Sequence, residues 1–120
     1  MKRSFAAVLV ACVMPAATPA FAHAFLDHAD PAVGSTVSAP PTQIRLWFSE
    51  RLEPAFSSAE LDDASGKRIG DARAEVDGSD ATLLRIAAPS LAPGRYRVKW
   101  RVLSVDTHVT QGDFTFTVAP

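Results

Sequence analysis

The chain has 120 residues, with 12 Lys and Arg against 13 Asp and Glu, a net charge of −1, one cysteine and two methionines. That length fits one small domain. The near-neutral balance excludes an electrostatic claim on nucleic acid or anionic lipid, and a single cysteine excludes an internal disulfide.

Lys2 and Arg3 open the chain, and an apolar run from Phe5 to Met14 follows. Pro15, Pro19 and the A-x-A sequence Ala20-Phe21-Ala22 come next. A basic start, a short apolar stretch and a small-residue cut site are the marks of a secretory signal peptide. The run has roughly half the ~20 apolar residues needed to span a bilayer, and the two prolines oppose a core helix. The expected organisation is a leader over 1–22 and one domain over 23–120. Leu9-Val10-Ala11-Cys12 also looks like a lipobox, in which Cys12 would carry the lipid; cleavage after Ala22 is the preferred reading. It removes Cys12, Met1 and Met14 and makes His23 the first residue.

Beyond residue 22 the dominant period is two. In "QIRLWFS", Ile44, Leu46 and Phe48 share a face opposite Gln43, Arg45 and Trp47. In "RYRVKWRV", Tyr96, Val98, Trp100 and Val102 alternate with Arg95, Arg97, Lys99 and Arg101, and in "DFTFTV" Phe114, Phe116 and Val118 alternate with Asp113, Thr115 and Thr117. Such alternation predicts strands with one wet face. Weaker strands are expected over 24–28, 36–38, 58–62, 73–76 and 82–87. Turn signals separate them: "ADPAVGS", "SAPP", "DASGK", "VDGSD" and "LAPG". The chain is therefore expected to be all-β, a small antiparallel Greek-key sandwich or barrel of about seven strands. The basic stripe Arg95, Arg97, Lys99 and Arg101 is expected to be the solvent face of one strand, balanced by acids such as Glu60, Asp62 and Asp63. Asp62-Asp63 before "ASGK" reads as a strand running into a turn.

The chemistry concentrates in three residues. A terminal His23 offers its α-amine and its imidazole Nδ1, which together close a six-membered chelate ring on one metal. An α-amine has a pKa near ~8, so a divalent ion displaces its proton at neutral pH. Asp106 and His108 stand two apart in "SVDTHVT" and would share a face if the chain there were extended. Three nitrogens and one oxygen suit tetragonal Cu(II), whereas zinc prefers tetrahedral sites, often with sulfur or three histidines. His28, five residues after His23, is expected to be a surface or packing histidine, and Trp47 and Trp100 are expected to pack.

The stretches "HAFLDHADPAVGSTV", "LWFSERLEPAFS", "LDDASGKRI", "LAPGRYRVKWRVLSVDTH" and "GDFTFTV" together resemble the CopC family of periplasmic copper-resistance proteins, in the family's order and over almost all of residues 23–120. The resemblance implies an immunoglobulin-like or cupredoxin-like Greek-key fold that binds copper and is not an enzyme. It implies one Cu(II) per chain on His23, Asp106 and His108, a periplasmic location, a monomer and an inner-membrane copper transporter of CopD type as partner. Glu50 falls where the family carries an acid near the metal. Thr107 stands where the family often has glycine. The methionine-rich Cu(I) segment of some members has no counterpart here, because residues 23–120 contain neither methionine nor cysteine. Two other readings stand beside this one: a small copper oxidase built on a histidine brace, and a metal-free immunoglobulin-like interaction module.

Overall fold

The computed structural model describes residues 6–14, 24–70 and 73–120. Residue 23 and most of the expected leader lie outside that set. Residues 6–14 have no regular structure and expose Val8, Leu9, Val10, Val13 and Met14, so they contribute nothing to the core.

The domain is a sandwich of two four-stranded sheets. Its strands are β1 (Leu26–Asp30), β2 (Thr36–Val37), β3 (Gln43–Phe48), β4 (Ser58–Asp62), β5 (Glu75–Val76), β6 (Leu83–Ala87), β7 (Gly94–Leu103) and β8 (Val109–Val118). One sheet runs β1-β3-β6-β5 and the other β2-β8-β7-β4, so the chain passes repeatedly from sheet to sheet. Among the described residues the strands number eight, two of them only two residues long. The antiparallel expectation fails at one place: β2 pairs parallel with the end of β8, Thr36 opposite Thr117 and Val37 opposite Val118. Thr117 N–H donates to the Ser35 carbonyl at 2.8 Å and Ala119 N–H to the Val37 carbonyl at 2.9 Å, which holds the two segments side by side.

Alternation works as the sequence predicts. Ile44, Leu46 and Phe48 of β3 are buried against Val98, Val102, Phe114 and Phe116 of the facing sheet. A core this continuous stabilises a domain that has no disulfide. The Tyr96 hydroxyl donates to the Ala92 carbonyl four residues earlier, the tyrosine corner of Greek-key sandwiches. On the outer face of β7, Lys99 lies 2.8 Å from Asp62 and 3.2 Å from Glu60, and Arg97 pairs with Asp113. The Asp62 carboxylate beside it raises the Lys99 pKa above the ordinary lysine value. Asp63 instead caps the following turn, accepting from the Ser65 and Lys67 amides at 2.9 and 3.0 Å.

β8 begins four residues earlier than its apolar alternation suggests, at Val109. The inward slot at 112 is glycine because the Trp100 indole already fills it: a Cβ on Gly112 would lie 2.6 Å from the ring. Trp100 in turn meets Phe48 of the other sheet edge-on, with centroids 5.1 Å apart.

The β7–β8 hairpin turns through residues 104–108. Thr107 N–H donates to the Ser104 carbonyl at 2.9 Å and Ser104 N–H to the His108 carbonyl at 3.0 Å. This turn places Thr107 at φ 75°, a left-handed conformation that a β-branched side chain resists.

Two stability measurements check this packing. Gly112→Ala is expected to lose about 1–3 kcal/mol by forcing the indole aside, read as a lower denaturant midpoint with a shifted Trp emission. Thr107→Gly is expected to gain about 0.5–1 kcal/mol, the relief of left-handed strain less the entropy of glycine. A loss there would mean that the Thr107 hydroxyl, 2.5 Å from the Asp106 carbonyl, holds the turn.

Candidate metal centre

Asp106 and His108 do not sit on an extended strand. β7 ends at Leu103, and both residues belong to the hairpin turn, so the same-face argument from strand geometry does not apply. The turn itself brings them together, with His108 Nδ1 3.3 Å from Asp106 Oδ1. Each side chain is about one-third exposed, 35% for Asp106 and 36% for His108, enough for a metal to reach them from solvent.

Ser104 organises the turn from beneath. It is fully buried and bridges to Leu52 of the neighbouring loop. Its hydroxyl donates to Asp106 Oδ1 and lies 3.3 Å from the His108 carbonyl. The hydroxyl bond is the main reason that the Asp106 carboxyl sits below the ordinary aspartate pKa, with the His108 contact adding to it. The lowering extends to more acidic pH the range in which Asp106 is the carboxylate that a metal ligand must be. Val105 N–H donates to the Arg51 carbonyl at 3.0 Å, so the far side of the turn is tied to the loop that follows β3.

The start of the domain arrives at the same end of the sandwich. Ala24 is completely buried, and its carbonyl accepts a 2.6 Å bond from the Thr110 hydroxyl, two residues past His108. Phe25 N–H donates to Ser49 Oγ at 2.9 Å, and Ser49 N–H returns a bond to the Phe25 carbonyl at 2.8 Å. Residues 24 and 25 thus bridge the opening of β8 in one sheet and the end of β3 in the other.

Of the three residues expected to bind metal, Asp106 and His108 are brought together, and His23 lies outside the described residues. Among the described residues, no three His, Cys, Asp or Glu side chains gather into a metal-holding group, so half-buried Glu50 does not close on Asp106 and His108. His28 belongs elsewhere: it is exposed, stacked on Trp47 at 4.4 Å and 9°, with Nδ1 2.8 Å from Asp27. Arg45 lies 5.3 Å over the same indole. Sequence reasoning did not find Ser49, Ser104 or Thr110. Each is a small hydroxyl residue whose partners stand 24, 2 and 86 positions away, and only the Ser104–Asp106 pair leaves a local trace.

Residues 26–119 match the CopC domain family. Protein YobA of Escherichia coli K12 is 41% identical over 99 residues, covering 82% of this chain and 80% of its own. The crystal structure of CopC from Methylosinus trichosporium OB3b matches with a TM-score of 0.77 and 40% identity, covering 82% of this chain and 95% of that one. PcoC, a methionine-rich copper resistance protein of Escherichia coli, matches with a TM-score of 0.72 and 38% identity over 81% and 99% of the two chains. The two methionines of the present chain, Met1 and Met14, both precede residue 23. Sequence and fold agree over nearly the whole β domain, and the chain belongs to the CopC family of copper-resistance proteins.

Proposed function

We propose that this protein is exported to the periplasm, trimmed after Ala22, and binds one Cu(II) through its new N-terminus. The α-amine and Nδ1 of His23, a ring nitrogen of His108 and an oxygen of Asp106 form the donor set. Three nitrogens and one carboxylate oxygen match the tetragonal preference of Cu(II). The soft sulfur ligands that favour Cu(I) are missing from residues 23–120, so a second, cuprous site of the methionine-rich kind is not part of this reading.

The observation that supports it most is the placement of Ala24. Its carbonyl is held by Thr110, beside the turn in which His108 and Asp106 stand 3.3 Å apart. The residue before Ala24 is therefore one peptide step from an anchored point at that end of the domain. A monomer is sufficient for such a site. Sequestration of copper, and its delivery to a membrane transporter of CopD type, follow as the physiological role. Membership in a copper-resistance family weighs against a metal-free interaction module, and the relatives' names point to resistance rather than to an oxidase.

The test is a Cu(II) EPR titration of protein exported with its own leader, beside a variant carrying one extra glycine before His23. The wild type is expected to bind one equivalent with a nitrogen-rich tetragonal spectrum. The extended variant is expected to lose that spectrum and to weaken by more than the 10–100-fold typical of outer-shell changes. His23→Ala should do the same. Copper in excess should raise the unfolding midpoint of the wild type alone, since a ligand that binds only the folded state stabilises it. Identical spectra from wild type and extended protein would overturn the terminal chelate.

A further inference from the structure

Thr110 and Ser49 tie down the first described residues of the domain. Ala24 contributes only a methyl group to the interior, yet its backbone is completely buried. A buried carbonyl left without a donor is costly, and the Thr110 hydroxyl meets this one at 2.6 Å. The next residue is held by two further bonds, Phe25 N–H to Ser49 Oγ and Ser49 N–H to the Phe25 carbonyl. Three hydrogen bonds on two consecutive residues, one from the sheet containing β8 and two from the end of β3, make a firm attachment. Domain termini without such ties are usually poorly ordered. Here the attachment sits at the first residues of the domain and beside the Asp106–His108 turn.

We infer that Thr110, assisted by Ser49, is a positioning residue for the N-terminal copper ligand: it fixes the Ala24 carbonyl so that the α-amine one residue earlier falls within reach of His108 and Asp106. The inference rests on the terminal-chelate reading above. Consecutive Cα atoms are about 3.8 Å apart, while metal–nitrogen bonds are about 2.0–2.1 Å. An anchor at residue 24 therefore leaves a tolerance shorter than one residue. The chelate itself requires the cut before His23, and the anchor adds pre-organisation: a loose terminus would have to lose its freedom whenever copper bound. Thr110 touches neither the amine nor the metal; it acts through the backbone.

The experiment uses the mature protein carrying Thr110→Val, which keeps the side chain's shape and removes the hydroxyl, and Thr110→Ser, which restores the hydroxyl without the methyl group. Ser49→Ala serves as a second probe of the same clamp if Thr110→Val does not fold. Two readouts are needed. In the metal-free protein, amide exchange at Phe25 and Ser49 should become at least about tenfold faster in Thr110→Val, while exchange across β7 and β8 stays level. In the copper titration, Thr110→Val should bind about five- to tenfold more weakly, with a mixed EPR spectrum in place of a single one. Thr110→Ser should recover both. Unchanged exchange at Phe25 and Ser49 would overturn the clamp. Faster exchange with unaltered copper affinity and spectrum would overturn its role in positioning. Weaker binding that Thr110→Ser does not recover would also overturn it, since the hydroxyl would not be responsible. If instead the wild type and its glycine-extended form bind copper alike, the terminal chelate itself has failed, a result separable from the clamp because exchange is measured without metal.

Discussion

The pairing of β7 with β8 is the constraint on which the rest of the molecule depends. The two strands stay in register from Gly94 opposite Val118 to Leu103 opposite Val109, and their inner row supplies Tyr96, Val98, Val102, Phe114 and Phe116 to the core. The interlock of Trp100 with Gly112 pins that register. A slip by one residue would turn every inward side chain outward and would drive the indole into a side chain instead of a vacant slot. Because the register is fixed, the turn that closes the hairpin has no freedom in where it points. Residues 104–108 are delivered to one end of the sandwich, and Asp106 and His108 go with them.

Much of this was legible in the primary structure, for a definite reason. Where one face of a strand is buried and the other wet, the apolar period reports the strand directly, as in β3, β7 and the second half of β8. The rule failed where packing replaced it. Gly112 interrupts the apolar row of β8, so the first half of that strand does not look like one, although the missing side chain is the means by which Trp100 packs. Two-residue β2 carries almost no periodic signal, and its parallel pairing depends on a long crossing that local pattern does not encode. The turn at Asp106 and His108 shows a different limit. The pair was singled out by its chemistry, and the extended geometry expected for it gives way to a turn. A left-handed Thr107 and a buried Ser104 bend the chain and still bring the two side chains to 3.3 Å.

The outer face of the second sheet shows how a charge pattern can mislead when read alone. Four cations recur at alternate positions of β7, the footprint that a nucleic-acid surface would also leave. Cross-strand partners change its meaning. Asp62 and Glu60 of β4 meet Lys99 from one side, and Asp113 of β8 meets Arg97 from the other. Opposite charges across a ladder, directly opposed for Glu60 and Lys99 and diagonal for the other two pairs, contribute modestly to sheet pairing, and their fields largely cancel at a distance. Arg97 and Lys99, the middle of the stripe, are part of the sheet's own construction.

The same economy of parts shapes the proposed copper site. Two of its ligands come from a turn whose backbone is closed by its own hydrogen bonds, and two donor atoms come from a single residue at the start of the chain. In such an arrangement the turn is the pre-formed half, since Ser104 already bonds Asp106, and Asp106 and His108 already stand 3.3 Å apart. In the proposed site the terminal residue would complete the donor set, next to an Ala24 carbonyl held by Thr110. Displacing one residue removes an amine and an imidazole together, so a competing ligand that takes the terminus loosens two bonds in one step. A metal held in this way is tightly chelated while the terminus is in place, and it leaves through a local change that the β-sandwich does not have to share.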